Sequence, residues 1–299
     1  MKKFLIQAAL RFFAIQPLWL QRANARFLAW LFKDVIKYRL KVVRENIALA
    51  FPEKTPQEHK AIVDGFYRHL GTIFTDAVWF GGTNRRRLNR RGLQHITNLD
   101  ELNALSEKSG SIVVLYPHNC NWEIIGGLSI LDETLGSCVD YRNSVVVYKQ
   151  LSDPVWDEIF ARNRSAALGG QFDGYVESKL IVRYMFTHTA EKKMYYLGTD
   201  QYPYGDAVKA IPVKFMGRDT YTMTAGAAVA AKFGYPVVYL SMMKTPQNTY
   251  EYTFKTITEK ATKEDIPAIM DKFYALLEED IRKKPETYLW SHRRWKNRI

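Results

Sequence analysis

The fold of this chain is decided in residues 110–123, GSIVVLYPHNCNWE. Residues 111–116, SIVVLY, are a short apolar run rich in β-branched side chains, closed by Gly110 before it and Pro117 after it. A strand with one wet face alternates apolar and polar residues, so an unbroken apolar run marks a strand buried on both faces. Similar runs recur at 144–148 (SVVVY), 193–197 (KMYYL) and 236–242 (PVVYLSM). Helical stretches lie between them at 155–163, 179–187 and 222–233. Strand alternating with helix predicts an α/β fold, with a mostly parallel central sheet flanked by helices. A more polar strand is expected at 250–258, then Thr262-Lys263-Glu264-Asp265, a capping start for a last helix reaching about Lys283.

Ahead of this core the chain reads as helix. Residues 38–51, YRLKVVRENIALAF, carry apolar side chains at helical spacing up to Pro52. Thr55-Pro56-Gln57-Glu58 is then a capping box with proline at the first helical position, opening a helix that runs to about Phe80. Residues 84–92, NRRRLNRRG, hold five arginines in nine positions; they read as a solvated basic loop or as a patch facing phosphate or a carrier. Residues 3–32 are rich in Phe, Leu, Ile and Trp, yet Arg11, Arg22 and Arg26 interrupt them and Pro17 breaks them. A bilayer span needs about 20 residues nearly free of charge, and this stretch has no such window. Arg11 inside the apolar stretch also argues against a cleaved export signal. Arginine interleaved with Phe and Trp suits helices lying in the headgroup boundary, the alternative being an ordinary core helix pair. The expected division is therefore an N-terminal anchoring segment at 1–38 and a single α/β domain at 39–299, with no internal repeat.

Hydrophobic residues make up 47% and charged residues 25% of the 299, which excludes wholesale disorder. The net charge of +12 draws anions, whether acidic proteins, anionic lipid or nucleic acid. Two cysteines, Cys120 and Cys138, indicate neither a disulfide framework nor a zinc cluster, and fit a reducing compartment. Signatures of serine hydrolases, nucleotide-binding loops and zinc proteases are absent.

His118 stands two residues after the 111–116 strand, and Glu123 five residues after His118. On one α-helix they would stand about 140° apart and could not meet. If Asn121 caps a helix running through Trp122 and Glu123, His118 lies on the loop at the carboxyl end of a strand, where open α/β sheets bind ligands. Glu123 could then reach back to it. A carboxylate on one ring nitrogen fixes the tautomer and leaves the other nitrogen to take a proton from a hydroxyl.

The hexapeptide HNCNWE resembles the H-x4-(D/E) motif of glycerolipid and lipid A acyltransferases, and its Asn-Trp-Glu ending resembles the bacterial lipid A biosynthesis branch. The likeness extends along nearly the whole chain, through YRLKVVRENIALAFPEKTPQEH (38–59), GTDQYPYGDAVKAIPVKFMGRDTYTMTAGAAVAAKFGYPVV (198–238) and PETYLWSHRRWKNR (285–298). It implies acyl transfer from acyl carrier protein to a hydroxyl of a phosphorylated membrane glycolipid, a lipid A precursor of lipopolysaccharide. The acyl thioester would be a co-substrate, and neither cofactor nor metal would be needed. It further implies a place at the cytoplasmic face of the inner membrane, on an anionic surface, with no role for nucleic acid. By the same resemblance His118 is the base and Glu123 its orienter, Arg164 lies near substrate or oxyanion, and Asp200 and Gln201 take a supporting or acceptor-binding position. The chain departs from the family at Asn119-Cys120, where an aromatic and a glycine are more usual. Other readings are an acyltransferase for a different phosphoglycolipid or an aminoacyl lipid, a lipid hydrolase, and a non-catalytic basic protein of the membrane surface.

Overall fold

The computed structural model describes residues 2–150, 153–168, 172, 174–203 and 210–295. Its N-terminal part is helical. Helices α1 (Lys2–Ala14) and α2 (Leu18–Trp30) meet at Pro17, and α2 runs on into a π-turn (Leu31–Val35). Helix α3 (Leu40–Ala50) stops before Pro52. Helix α4 (Pro56–Gly81) opens on the expected capping box, in which Thr55 Oγ1 accepts from the Glu58 amide at 3.3 Å and the Glu58 carboxylate from the Thr55 amide at 2.8 Å. The arginine run, expected as a loop, is instead a short helix, α5 (Arg85–Arg91). Asn84 Oδ1 accepts from the Arg87 amide at 3.0 Å, and Gly92 at φ 56° ends the helix in the left-handed region.

The remaining elements are β1 (Gln94–Ile96), α6 (Leu99–Ser109), β2 (Ile112–Tyr116), a 3-10 helix (Trp122–Ile130), β3 (Ser144–Tyr148) and α7 (Pro154–Ser165). After them come β4 (Tyr175–Glu177), α8 (Ile181–Thr187), β5 (Met194–Gly198), β6 (Ala210–Phe215), β7 (Arg218–Met223), α9 (Ala225–Phe233), β8 (Val237–Lys244), β9 (Tyr250–Thr258) and α10 (Ile266–Lys283). Seven strands form one sheet in the order β1-β9-β8-β2-β5-β3-β4. β8, β2, β5, β3 and β4 run parallel, β9 turns back antiparallel to β8, and β1 runs parallel to β9. The fold is the expected mostly parallel α/β sheet flanked by helices. The separate hairpin of β6 and β7 was not anticipated, and it shortens the helix expected from residue 222, because Thr222 pairs with Ile211 across it.

Burial on both faces explains the apolar run in β2. Val113 and Leu115 enter one core cluster with Tyr195, Leu197, Val237 and Tyr239, while Ile112 and Val114 enter the other with Met194, Tyr196, Val238 and Leu240. Each such side chain contributes about 1.5–3 kcal/mol relative to exposure, which holds this strand at the centre of the sheet.

Helices α1 and α2 pack on α4. The approach is close: a Cβ built on Gly71 would stand 2.2 Å from the Ala25 carbonyl oxygen, so only glycine fits there. The inner face of α2, with Gln21, Ala25 and Ala29, is buried, whereas Trp19, Phe27 and Trp30 remain 69%, 55% and 53% exposed. Among the described residues no helix is long and apolar enough to cross a membrane.

Candidate active site

β2 and β5 are parallel neighbours with Tyr116 opposite Gly198. Both strands end there, so the residues two positions further on, His118 and Asp200, leave the sheet side by side. His118 Nδ1 and Asp200 Oδ1 are 2.7 Å apart, with the carboxylate side chain only 2% exposed and the imidazole 19%. An ionised carboxylate accepts from the Nδ1–H, which leaves the Nε2 lone pair free for a proton. Burial alone would lower the His118 pKa, but the charge and hydrogen bond of Asp200 outweigh it and raise it above the ordinary value. Asp200 is displaced the other way: burial would raise it, and His118 holds it below the usual carboxylate range. Gln201 Nε2 donates weakly to His118 Nε2 at 3.4 Å, a contact that an incoming hydroxyl would replace. Trp122 meets the imidazole edge to face at 5.3 Å between centroids.

The hydrogen bond expected between His118 and Glu123 is thus taken by Asp200. Glu123 lies in the first turn of the 3-10 helix and faces Arg164 of the last turn of α7 in a two-point fork, Nε to Oε2 and Nη2 to Oε1, both at 2.8 Å. Trp122 Nε1 donates to the same carboxylate at 3.0 Å. The expected α-helix after Asn121 is therefore 3-10. Asn121 makes no cap; its amide lies 3.4 Å from the Tyr250 hydroxyl. Glu123 still acts on His118 at longer range, since its charge adds to the upward shift of the imidazole.

The loop between His118 and Trp122 is held from behind by the C-terminal segment. The Leu289 amide donates to the His118 carbonyl at 3.1 Å and the Cys120 amide to the Thr287 carbonyl at 2.9 Å, forming an antiparallel bridge between Asn119 and Tyr288. Thr287 Oγ1 donates to Asn119 Oδ1 at 2.8 Å, and His69 Nε2 lies 3.0 Å from the Cys120 carbonyl. Cys120 adopts φ 56°, a conformation that costs a non-glycine residue about 1–2 kcal/mol. Its side chain is fully buried, and burial pushes the thiol up to about 12. The same C-terminal segment reaches the second loop, where His292 Nε2 accepts from the Tyr202 amide at 3.0 Å. Arg294, 1% exposed between the Phe215 and Tyr274 rings, ties the segment to the hairpin through Thr220 Oγ1 at 2.8 Å and the Tyr221 carbonyl at 2.9 Å.

The five residues singled out in the sequence therefore converge: His118, Glu123, Arg164 and Gln201 line a cavity of about 510 Å3, and Asp200 stands behind His118. Its lining is mixed: Ile125, Val146, Leu168, Phe172 and Met223 share it with the hydroxyls of Ser129, Ser144 and Tyr196. Reading along the chain missed the pairing of His118 with Asp200 and the bracing by Thr287, Leu289 and His292. The first had a signal, since each of the pair stands shortly after an apolar strand run.

A tautomer-fixed imidazole on a cavity lined by both apolar side chains and hydroxyls suits proton transfer on an amphipathic substrate. No curated protein compared with the chain matches it. The family model for bacterial lipid A biosynthesis acyltransferases matches residues 1–297, and by that match the protein belongs to that family.

Proposed function

We propose that this acyltransferase moves a fatty acyl chain from a thioester on acyl carrier protein to a hydroxyl of a lipid A precursor, with His118 as general base. The acceptor O–H gives its proton to His118 Nε2 as the oxygen attacks the thioester carbonyl. The tetrahedral intermediate then expels the carrier thiolate, which takes the proton back from His118. An ester and a free carrier thiol result, and no atom is left unassigned. Asp200 holds the imidazole tautomer and steadies the imidazolium between the two steps. Arg164, oriented by its fork with Glu123, lines the same cavity as His118, where it would stabilise the oxyanion or a phosphate of the acceptor.

The observation that carries this reading is the 2.7 Å contact between His118 Nδ1 and Asp200, with His118 lining a cavity large enough for a substrate. Transfer without a covalent enzyme intermediate is supported by Cys120, whose thiol is buried and held protonated. The exposed aromatic side chains of α2 support an interfacial position, which in this reading is the cytoplasmic face of the inner membrane.

The test is mass spectrometry of products from purified protein, acyl carrier protein thioester and the lipid acceptor. The expected product is acceptor heavier by one acyl chain, with His118→Ala slowing its formation by roughly 10²- to 10⁴-fold. Free fatty acid formed at the same rate with or without acceptor would make the protein a hydrolase instead.

A further inference from the structure

On the other side of the loop from His118 to Asn121, a groove runs between α2, α4 and the turn joining β8 to β9. Its two halves have volumes of about 590 and 460 Å3, share Arg68, Thr72 and Asn248, and have no lining residue in common with the catalytic cavity. Seven lysines and arginines line it against three carboxylates, so it is cationic on balance. Two of those carboxylates are already engaged, Asp76 by the Tyr250 hydroxyl at 2.7 Å and Glu58 by Thr55. Arg22, Arg26, Arg68 and Lys244 have no hydrogen-bond or ion-pair partner for their side chains among the described residues. Lys244 is half-buried, and although Asp76 and Glu286 attract it through space, neither is in ion-pair contact with it, so an anion entering beside it would add the direct partner it lacks.

The position of the groove suggests the source of that anion. At 100° per residue, Arg22 and Arg26 fall between the buried stripe of α2 (Gln21, Ala25, Ala29) and its exposed aromatic stripe (Trp19, Phe27, Trp30). When the aromatic stripe sinks into a headgroup layer, these two guanidinium groups come level with lipid phosphates, at the mouth of the groove.

We propose that this groove is a second lipid site, which takes the phosphate of an anionic membrane phospholipid and is separate from the catalytic cavity. The proposal rests on the interfacial reading of α2 and not on the chemistry assigned to His118. A lipid held here seats the protein at a fixed height and rotation on the membrane.

The test titrates the full chain, in nonionic micelles, with dihexanoyl phosphatidylglycerol below its own micelle concentration. Inorganic phosphate is titrated in parallel. Saturable binding is expected. It should weaken roughly 10-fold or more in R22Q/R68Q, and be unchanged in a control pair, R86Q/K263Q, that removes equal charge from exposed positions elsewhere. K244Q serves as a second variant should the first pair melt early, and it is expected to weaken binding in the same direction. Binding should survive His118→Ala, so failure of the catalytic reading leaves this result standing. Four outcomes overturn the proposal: no saturable binding, equal weakening in the control pair, inorganic phosphate binding as tightly as the lipid, or loss of binding in His118→Ala.

Discussion

His118 draws its properties from neighbours acting in different directions. Burial disfavours the imidazolium, Asp200 favours it, and Glu123 adds a smaller push in the same sense while Arg164 opposes it. In its proposed role as base His118 works only when neutral, so activity should rise with pH through its raised pKa. Asp200→Asn removes the largest favourable influence and leaves burial, so the acid limb of kcat/KM should move to lower pH. Turnover should fall by roughly 10²- to 10⁴-fold, because asparagine no longer holds the Nδ1–H tautomer. A pH profile measured across the acid limb separates this from a structural role. A lower rate with an unmoved limb would mean that Asp200 serves only to shape the loop.

At the scale of elements, two parallel strands bring His118 and Asp200 together and the C-terminal segment braces the loops that carry them. β2 and β5 end in register, but the loops beyond them have no ladder of their own. Thr287 and Leu289 supply one for residues 118–120, and His292 supplies an acceptor for the amide of Tyr202, next to Gln201. His292 is thus a positioning residue. His292→Ala should lower kcat roughly 10-fold with little change in KM, since small misplacements of a catalytic group are costly in rate. His292→Gln offers an amide oxygen to the same N–H and should recover most of the loss. Failure of glutamine to do better than alanine would remove this role from His292.

For the molecule as a whole, the distribution of apolar surface matters more than its amount. Large hydrophobic side chains are exposed from Phe12 along α2 and the π-turn to Ile36, and again at Phe74 on α4. An exposed patch of this kind marks a surface that meets something apolar. Deleting the N-terminal helices would also uncover the buried face of α4, because Ala25 and Gly71 are in backbone contact. Point substitution is the cleaner probe. Trp19→Ser with Trp30→Ser should reduce co-flotation with anionic vesicles several-fold while leaving the melting temperature nearly unchanged, as both side chains are already in water in the free protein. Unchanged flotation would remove α2 from the proposed membrane-facing surface.

The sequence by itself determined the α/β class, the central strands and the capped start of α4, because each is written in a local signal: an unbroken apolar run, or a Thr and a Glu three apart. It also singled out the residues of the candidate site. It did not show β1, β4 or the β6–β7 hairpin, which are short or carry alternating polar residues whose burial depends on neighbours distant in the chain. Nor did it settle which carboxylate meets His118. Glu123 is five residues away and Asp200 is 82, yet Asp200 makes the contact. Register in a parallel sheet is fixed by packing on both faces at once, and only that register sets residues 118 and 200 side by side while the fork to Arg164 turns Glu123 elsewhere.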